Sequence, residues 1–187
     1  KTLTTFAIQF HLPIKAIIKA TIFKQFCGGE TIAECDETIN VLQKYKVGTI
    51  LDYSVEGKKS EIDFEATTQE TIATVEKAKN NSGISFCVFK VTGIARFDIL
   101  EKYGTKSGLN ESEKKDFEII KNRVNRICKA AFEASVSIFI DAEESWIQQA
   151  IDDFADEMML LYNREKAIVF NTFQLYRTDR LDFLKQS

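Results

Sequence analysis

The sequence predicts an α/β fold with a parallel sheet, and three observations support this prediction. Short segments rich in β-branched residues alternate with amphipathic segments of helical spacing, four times along the chain. The strands begin roughly 30–50 residues apart, the length of a strand–helix unit with its loops. Polar residues follow each strand. Four units form either half of a (β/α)₈ barrel, which needs about 250 residues, or an open sheet.

The predicted elements follow one another with little interruption. Residues 1–25 predict an N-terminal helical segment that is divided at Pro13. Strands are predicted over 47–57, 85–93, 136–140 and 167–174. Helices are predicted over 31–46, 64–79, 111–134, 146–162 and 180–187. In the helix 146–162, apolar residues at helical spacing are interpreted as core: Ile147, Ile151, Phe154 and Met158.

The strand 136–140 ends in the acidic residues Asp141, Glu143 and Glu144. A buried strand that ends in a carboxylate before a helix is where α/β folds place catalytic groups. Asp141 or Ser145 would equally serve as a helix N-cap, and the glutamates would complement the helix dipole or bind a cation. Because polar groups recur after the other strands, a functional role for Asp141 is favoured.

Lys90 lies inside an otherwise apolar strand, where an ammonium group is costly to bury without a partner. Three interpretations remain open. Lys90 forms a structural ion pair with Asp141 or Asp52, anchors an anionic substrate, or acts as a Schiff-base lysine of lowered pKa. Asn171 and Gln174 follow the fourth strand, where their amides would bind a heteroaromatic edge such as an isoalloxazine, or cap a turn.

Composition excludes several classes of function. Of 187 residues, 44% are hydrophobic and 28% charged, and the net charge of -3 predicts no nucleic-acid partner. The single histidine, His11, excludes a multi-histidine metal site within the chain. The four cysteines lack metal-binding spacing and are predicted to be reduced and buried. No dinucleotide-binding or P-loop glycine motif occurs, and no signal peptide or apolar run of about 18 residues is visible.

Five segments of the chain together resemble one known family. They are FCGGET (26–31), LDYSVEG (51–57), FKVTG (89–93), IDAEESWIQ (140–148) and FNTFQLY (170–176). In this order and spacing they resemble motifs of the proline dehydrogenase (proline oxidase) family, in its single-function form. The resemblance implies that residues 26–187 are the first half of a distorted (β/α)₈ barrel.

The resemblance also implies a reaction and its residues. Members bind FAD non-covalently and oxidise L-proline to Δ1-pyrroline-5-carboxylate, with hydride transfer from proline C5 to flavin N5 and electrons passing to a quinone. Lys90 matches the lysine that pairs with the proline carboxylate, and Asp141 matches the catalytic aspartate. Ala142 matches a residue that touches the flavin. Asn171 stands where many members have a glutamine bonded to the flavin ring.

The resemblance is incomplete, because arginines on later strands of the family have no counterpart before Ser187. We therefore expect the N-terminal part of such an enzyme, inactive alone, and located in the cytoplasm or peripherally on an inner membrane. Two alternatives remain: a Schiff-base lyase or aldolase using Lys90 with Asp141 or Glu143, and a non-catalytic α/β binding module. The sequence predicts no particular oligomeric state.

Overall fold

The computed structural model describes residues 16, 18–53, 57–105, 108–142 and 144–187. The chain divides into two compact units, Lys1–Val47 and Gly48–Ser187. In the first unit a π-helical turn, Lys19–Phe23, leads into α1 (Lys24–Phe26), and α2 (Cys35–Lys44) follows. The predicted boundary at Pro13 lies outside the described residues, and the predicted division between residues 25 and 26 stays a prediction.

The second unit alternates strands and helices, as predicted. Its elements are β1 (Thr49–Asp52), α3 (Glu61–Lys79), β2 (Ile84–Lys90), α4 (Phe97–Tyr103), α5 (Glu111–Ala134), β3 (Ser137–Asp141), α6 (Gln148–Tyr162), β4 (Val169–Asn171) and α7 (Arg180–Gln186). The strands form one sheet in the order β1-β2-β3-β4, and all three pairings are parallel. Each connection joins neighbouring strands without reversing direction, which is the winding of a (β/α)₈ barrel.

One face of the sheet is buried under the helices. Cys87 and Phe89 of β2 and Ile138 and Ile140 of β3 are at most 3% exposed and alternate with half-buried residues. The predicted core stripe of α6 is confirmed, since Ile147, Ile151, Phe154 and Met158 are buried. This face and helices α3, α5 and α6 therefore form the core.

The opposite face of the sheet carries a cluster of three phenylalanines. Phe86 stacks on Phe139 with 4.7 Å between ring centroids, and Phe170 lies 5.5 Å from each of them. All three are half-buried. Parallel sheets are normally covered on both faces, so this open face is the side that faces the interior in a barrel.

Some boundaries differ from the predicted ones. Helix α3 begins at Glu61 rather than residue 64, because the Ser60 hydroxyl accepts a hydrogen bond from the Asp63 N–H at 3.1 Å and caps the helix. Helix α4 was not predicted. The expectation that the cysteines are buried holds for Cys87 and Cys128 but is wrong for Cys27, which is exposed.

Candidate active site

The strands end beside one another at one edge of the sheet, and this brings the candidate residues together. Lys90, the last residue of β2, is the register partner of Asp141, the last residue of β3. Neighbouring strands lie about 4.8 Å apart, and partners in a parallel ladder point to the same face. Both residues are half-buried. Lys90 and Asp141 therefore share the open face of the sheet.

The alternation of each strand explains this placement. On β2, Cys87 and Phe89 enter the core, so Val88 and Lys90 point to the open face. On β3, Ile138 and Ile140 enter the core, so Phe139 and Asp141 do not. Lys90 and Asp141 thus lie one layer, about 6.6 Å along the strands, beyond Val88 and Phe139. On the open face, the polar side chains of Lys90 and Asp141 therefore directly follow the apolar side chains of Val88 and Phe139.

Ala142 and Asn171 make their contacts inside the protein. Ala142 is 4% exposed, its N–H donates to the Thr172 hydroxyl at 3.3 Å, and its carbonyl accepts from the Gln174 amide. Asn171 is the register partner of Ile140 and therefore lies on the helix-covered face. Its Nδ2 donates to Asp152 at 2.8 Å. Their predicted contacts with a flavin stay predictions.

Sequence reasoning missed a buried polar cluster on α6 and α7. Asp152 and Arg180 are 2% and 3% exposed and form an ion pair at 2.8 Å. The guanidinium of Arg180 also lies 4.1 Å above the ring of Phe183. The available signal was Gln148 and Asp152, two polar residues spaced as i and i+4 directly beside the apolar stripe of α6.

A cleft of about 520 Å³ opens among the loops that follow the first three strands. Lys58, Lys59, Arg96 and Glu144 contribute charged groups to its lining. Arg96 pairs with Asp98 at 2.5 Å and with Asp116 at 3.0 Å. The hydrogen bond from Arg96 lowers the pKa of the Asp98 carboxyl. Because these loops follow the carboxyl ends of the strands, the cleft lies on the same side of the fold as Lys90 and Asp141.

Two features are not found among the residues that the structure describes: a metal-binding cluster and a membrane-spanning helix. No group of three or more His, Cys, Asp or Glu side chains is arranged to hold a metal ion in the described ranges. Within the same part of the chain, no helix is long and apolar enough to cross a membrane. Of the two glutamates predicted beside Asp141, Glu144 lines the cleft, whereas Glu143 lies outside the described residues.

Comparison with known proteins identifies the family. The family model for proline dehydrogenase matches residues 35–187. The chain belongs to the proline dehydrogenase family. The predicted family membership is therefore confirmed over most of the sequence, including all four strands.

Individual relatives of this chain are longer than it is. Mitochondrial proline dehydrogenase 1 from Dictyostelium discoideum is 31% identical over 93% of this chain and 37% of its own length. The carbapenem antibiotics biosynthesis protein CarD of Pectobacterium carotovorum is 29% identical over 86% of this chain and 43% of its own length. The chain thus spans about two-fifths of these relatives, between 37% and 43%.

A solved structure shows the same fold. Proline utilization A from Bdellovibrio bacteriovorus, inactivated by N-propargylglycine, superimposes with a TM-score of 0.74 at 17% identity. The match covers 95% of this chain and 20% of that protein. The four parallel strands therefore form part of a (β/α)₈ barrel, which confirms the predicted fold class.

Proposed function

We propose that the protein oxidises L-proline to Δ1-pyrroline-5-carboxylate as a proline dehydrogenase with bound FAD. The observation that carries the proposal is that Lys90 and Asp141 are register partners at the carboxyl ends of β2 and β3, in a chain that belongs to this family. In the reaction the C5–H bond of proline breaks with its electron pair, and a C5–N double bond forms as the ring nitrogen loses a proton.

Lys90 is the proposed carboxylate-binding residue. Its ammonium can donate up to three hydrogen bonds, and it lies beside the apolar residues of the open face. In such surroundings a charge-assisted hydrogen bond to a carboxylate is stronger than in water. Fixing the carboxylate of so small a substrate also fixes the position of C5. Lys90 would therefore contribute to both the affinity for proline and its orientation.

Asp141 is the proposed catalytic residue beside it. As the register partner of Lys90, the carboxylate shares the same layer of the open face and would hold the lysine in the orientation that meets the substrate. A negative charge at this position also favours the cationic ring nitrogen of proline over a neutral ring. The two side chains would thus bind the two charged ends of a zwitterionic amino acid.

The residues on the open face fit a flavin on one side. Phe139 and Phe170 provide an apolar surface for a planar ring, and Lys90 and Asp141 provide polar groups at its edge. When bound, FAD supplies the acceptor for the hydride from proline C5 and passes electrons to a quinone. Ala142 would border the flavin, and Asn171 marks the end of the strand beside it.

Partners and location are part of the same proposal. The mitochondrial proline dehydrogenase 1 of Dictyostelium discoideum supports L-proline as substrate. A quinone acceptor and peripheral membrane attachment are proposed with the reaction and do not rest on an observed contact. The fold and the residues on the open face give no reason to prefer a Schiff-base reaction at Lys90 over the oxidation of proline.

Product formation tests the proposal. Full-length protein is incubated with L-proline and a soluble quinone, and Δ1-pyrroline-5-carboxylate is trapped with an aromatic aminoaldehyde. The proposal expects product to form in proportion to quinone reduced, and D-proline serves as the control. Absence of product from a folded, flavin-loaded protein would contradict it.

A further inference from the structure

The carboxylate of Asp152 is the centre of a buried hydrogen-bond network behind the sheet. Its Oδ1 accepts from Asn171 Nδ2 at 2.8 Å, from Gln148 Nε2 at 3.0 Å and from Arg180 Nη2 at 3.0 Å. Its Oδ2 accepts from Arg180 Nη1 at 2.8 Å. The side chains of Asp152 and Arg180 are each 4% exposed, so both charges are almost completely removed from water.

The network continues from Asn171 through Thr172 to the residues on both sides of Asp141. The Asn171 Oδ1 accepts from the Thr172 N–H at 2.8 Å. The Thr172 hydroxyl accepts from the Ala142 N–H at 3.3 Å and donates to the Ile140 carbonyl at 3.4 Å. The peptide groups before and after Asp141 are therefore both bonded to the hydroxyl group of Thr172, the residue directly after β4.

The short length of β4 makes this connection important. Only three register pairs join β3 to β4, so the ladder between these two strands is short. A bonded Asn171 side chain fixes that end to α6, and α6 is anchored in the core by Ile151 and Phe154. The position of Thr172, and through it of the Asp141 backbone, depends on where α6 holds Asn171.

We propose that Asp152 is a positioning residue for Asp141, acting through Asn171 and Thr172. Arg180 neutralises the buried carboxylate and holds it bidentately, and this fixes the direction in which Asp152 presents Oδ1 to Asn171. The consequence for catalysis rests on the proposed oxidation of proline. In this arrangement Asn171 acts from the helix-covered face.

A buried ion pair by itself does not imply a positioning role. Replacing such a pair by apolar residues is often neutral for stability, because the desolvation cost offsets the attraction. This property provides the test, since an Asp152→Leu/Arg180→Met double variant removes the network without leaving a lone buried charge. Thr172→Val removes only the connecting hydroxyl group, and Thr172→Ser keeps it.

The first readout needs neither substrate nor cofactor. Amide hydrogen exchange is measured for Ala142, whose N–H donates to Thr172, and for amides of α5 as an internal reference. The proposal expects exchange at Ala142 to become at least about tenfold faster in the double variant and in Thr172→Val, with Thr172→Ser close to the wild type. Val124→Ala, a purely apolar core change in α5, is the control for general loss of stability.

The second readout is the kinetics of proline oxidation in the flavin-loaded full-length protein. The double variant and Thr172→Val are expected to lower kcat about tenfold while changing KM less than about threefold, because alignment rather than binding is lost. Val124→Ala, compared at an equal margin below its unfolding temperature, is expected to keep the wild-type kcat.

The outcomes separate this inference from the proposed function. Unchanged exchange at Ala142 in a folded double variant would overturn the positioning role, whatever the enzyme does with proline. A wild-type protein that leaves proline unoxidised, with the expected exchange pattern, would refute the proposed function and keep the structural link.

Discussion

At the scale of single residues, Lys90 and Asp141 carry the proposed chemistry, and both were identified from the sequence. A lysine within an apolar strand is costly to bury without a partner, and an aspartate at the end of a buried strand lies where α/β folds place catalytic groups. The parallel register places them side by side on the open face. What the sequence left open was the choice between a structural ion pair and a substrate-binding role, because strand patterning does not reveal which face stays uncovered.

Substituting Lys90 tests its binding role. Lys90→Met keeps the length of the side chain and removes its charge, so we expect kcat/KM for L-proline to fall about 10- to 100-fold, mainly through a higher KM. Lys59→Met is the matched control, since Lys59 lines the neighbouring cleft. Steady-state kinetics over a wide range of proline concentrations provide the measurement, and an unchanged KM in Lys90→Met would refute carboxylate binding.

Asn171 shows why part of the site was not predictable. Its side chain lies on the helix-covered face because Asn171 pairs with Ile140, and a shift of one residue would have placed it on the other face. Its partner Asp152 lies 19 positions before it in sequence, and Arg180, the partner of Asp152, lies 28 positions after Asp152. Such a network depends on the packing of α6 and α7, which no local pattern contains.

The cysteines are expected to differ in reactivity according to their burial. Burial raises the pKa of the Cys87 thiol to about 11 and also raises that of Cys128, whereas Cys27 is exposed. At pH 8 we expect iodoacetamide to alkylate Cys27 in the folded protein, and Cys87 and Cys128 only after unfolding. Peptide mass spectrometry locates the label, and rapid alkylation of Cys128 in the folded state would contradict its placement.

At the scale of elements, the strands and longer helices follow directly from hydrophobic periodicity. Helix α4 did not, because its seven residues, FDILEKY, are too few to establish a helical period. Its buried residues Ile99 and Leu100 are adjacent, which fits a short strand equally well. Contacts with α5 and α6 decide its conformation, including the hydrogen bond from the Tyr103 hydroxyl to Asp153 at 2.7 Å.

The N-terminus of α5 depends on a capping box. The Asn110 side chain accepts from the N–H groups of Ser112 and Glu113 at 3.0 Å, and the Glu113 carboxylate accepts from the Asn110 N–H at 2.8 Å. Asn110→Ala is expected to lower the free energy of unfolding by about 1 kcal/mol. Asn122→Ala, at an exposed position inside the same helix, is expected to leave the free energy of unfolding unchanged. Urea unfolding measures both, and equal losses would contradict the capping role.

An ion pair between α3 and α5 predicts a pH dependence. Two hydrogen bonds from Arg126 to Glu65, at 2.8 and 2.6 Å, lower the pKa of Glu65 from 4.5 to about 2. Because the folded pKa lies below the unfolded one, the pair stabilises the protein above about pH 4.5 and loses this effect as the pH falls toward about 2. Since Glu65 is partly exposed, we expect about 0.5 kcal/mol at neutral pH.

Comparison of Glu65→Gln with the wild type by urea unfolding at several pH values tests this prediction. The wild type should be the more stable at pH 7, and the difference should shrink steadily below pH 4.5. A difference that stays constant over this range would show that Glu65 titrates normally in the folded protein.

At the scale of the whole molecule, four strands in sequential order form part of a (β/α)₈ barrel whose inner face stays open in the described residues. The four strands and the longer helices were predictable from periodicity, but the choice between a barrel and an open sheet was not. Strand order is a property of long-range pairing, and it became known only from the register and from the similarity to a solved structure.

The most direct test of the central claim is the flavin absorbance of the full-length protein before and after L-proline is added without oxygen. The account predicts a flavin band that L-proline bleaches, and at equal concentrations of proline a much smaller bleaching in Lys90→Met. A folded protein with a flavin band that L-proline leaves unchanged, or one that binds no flavin, would contradict the account.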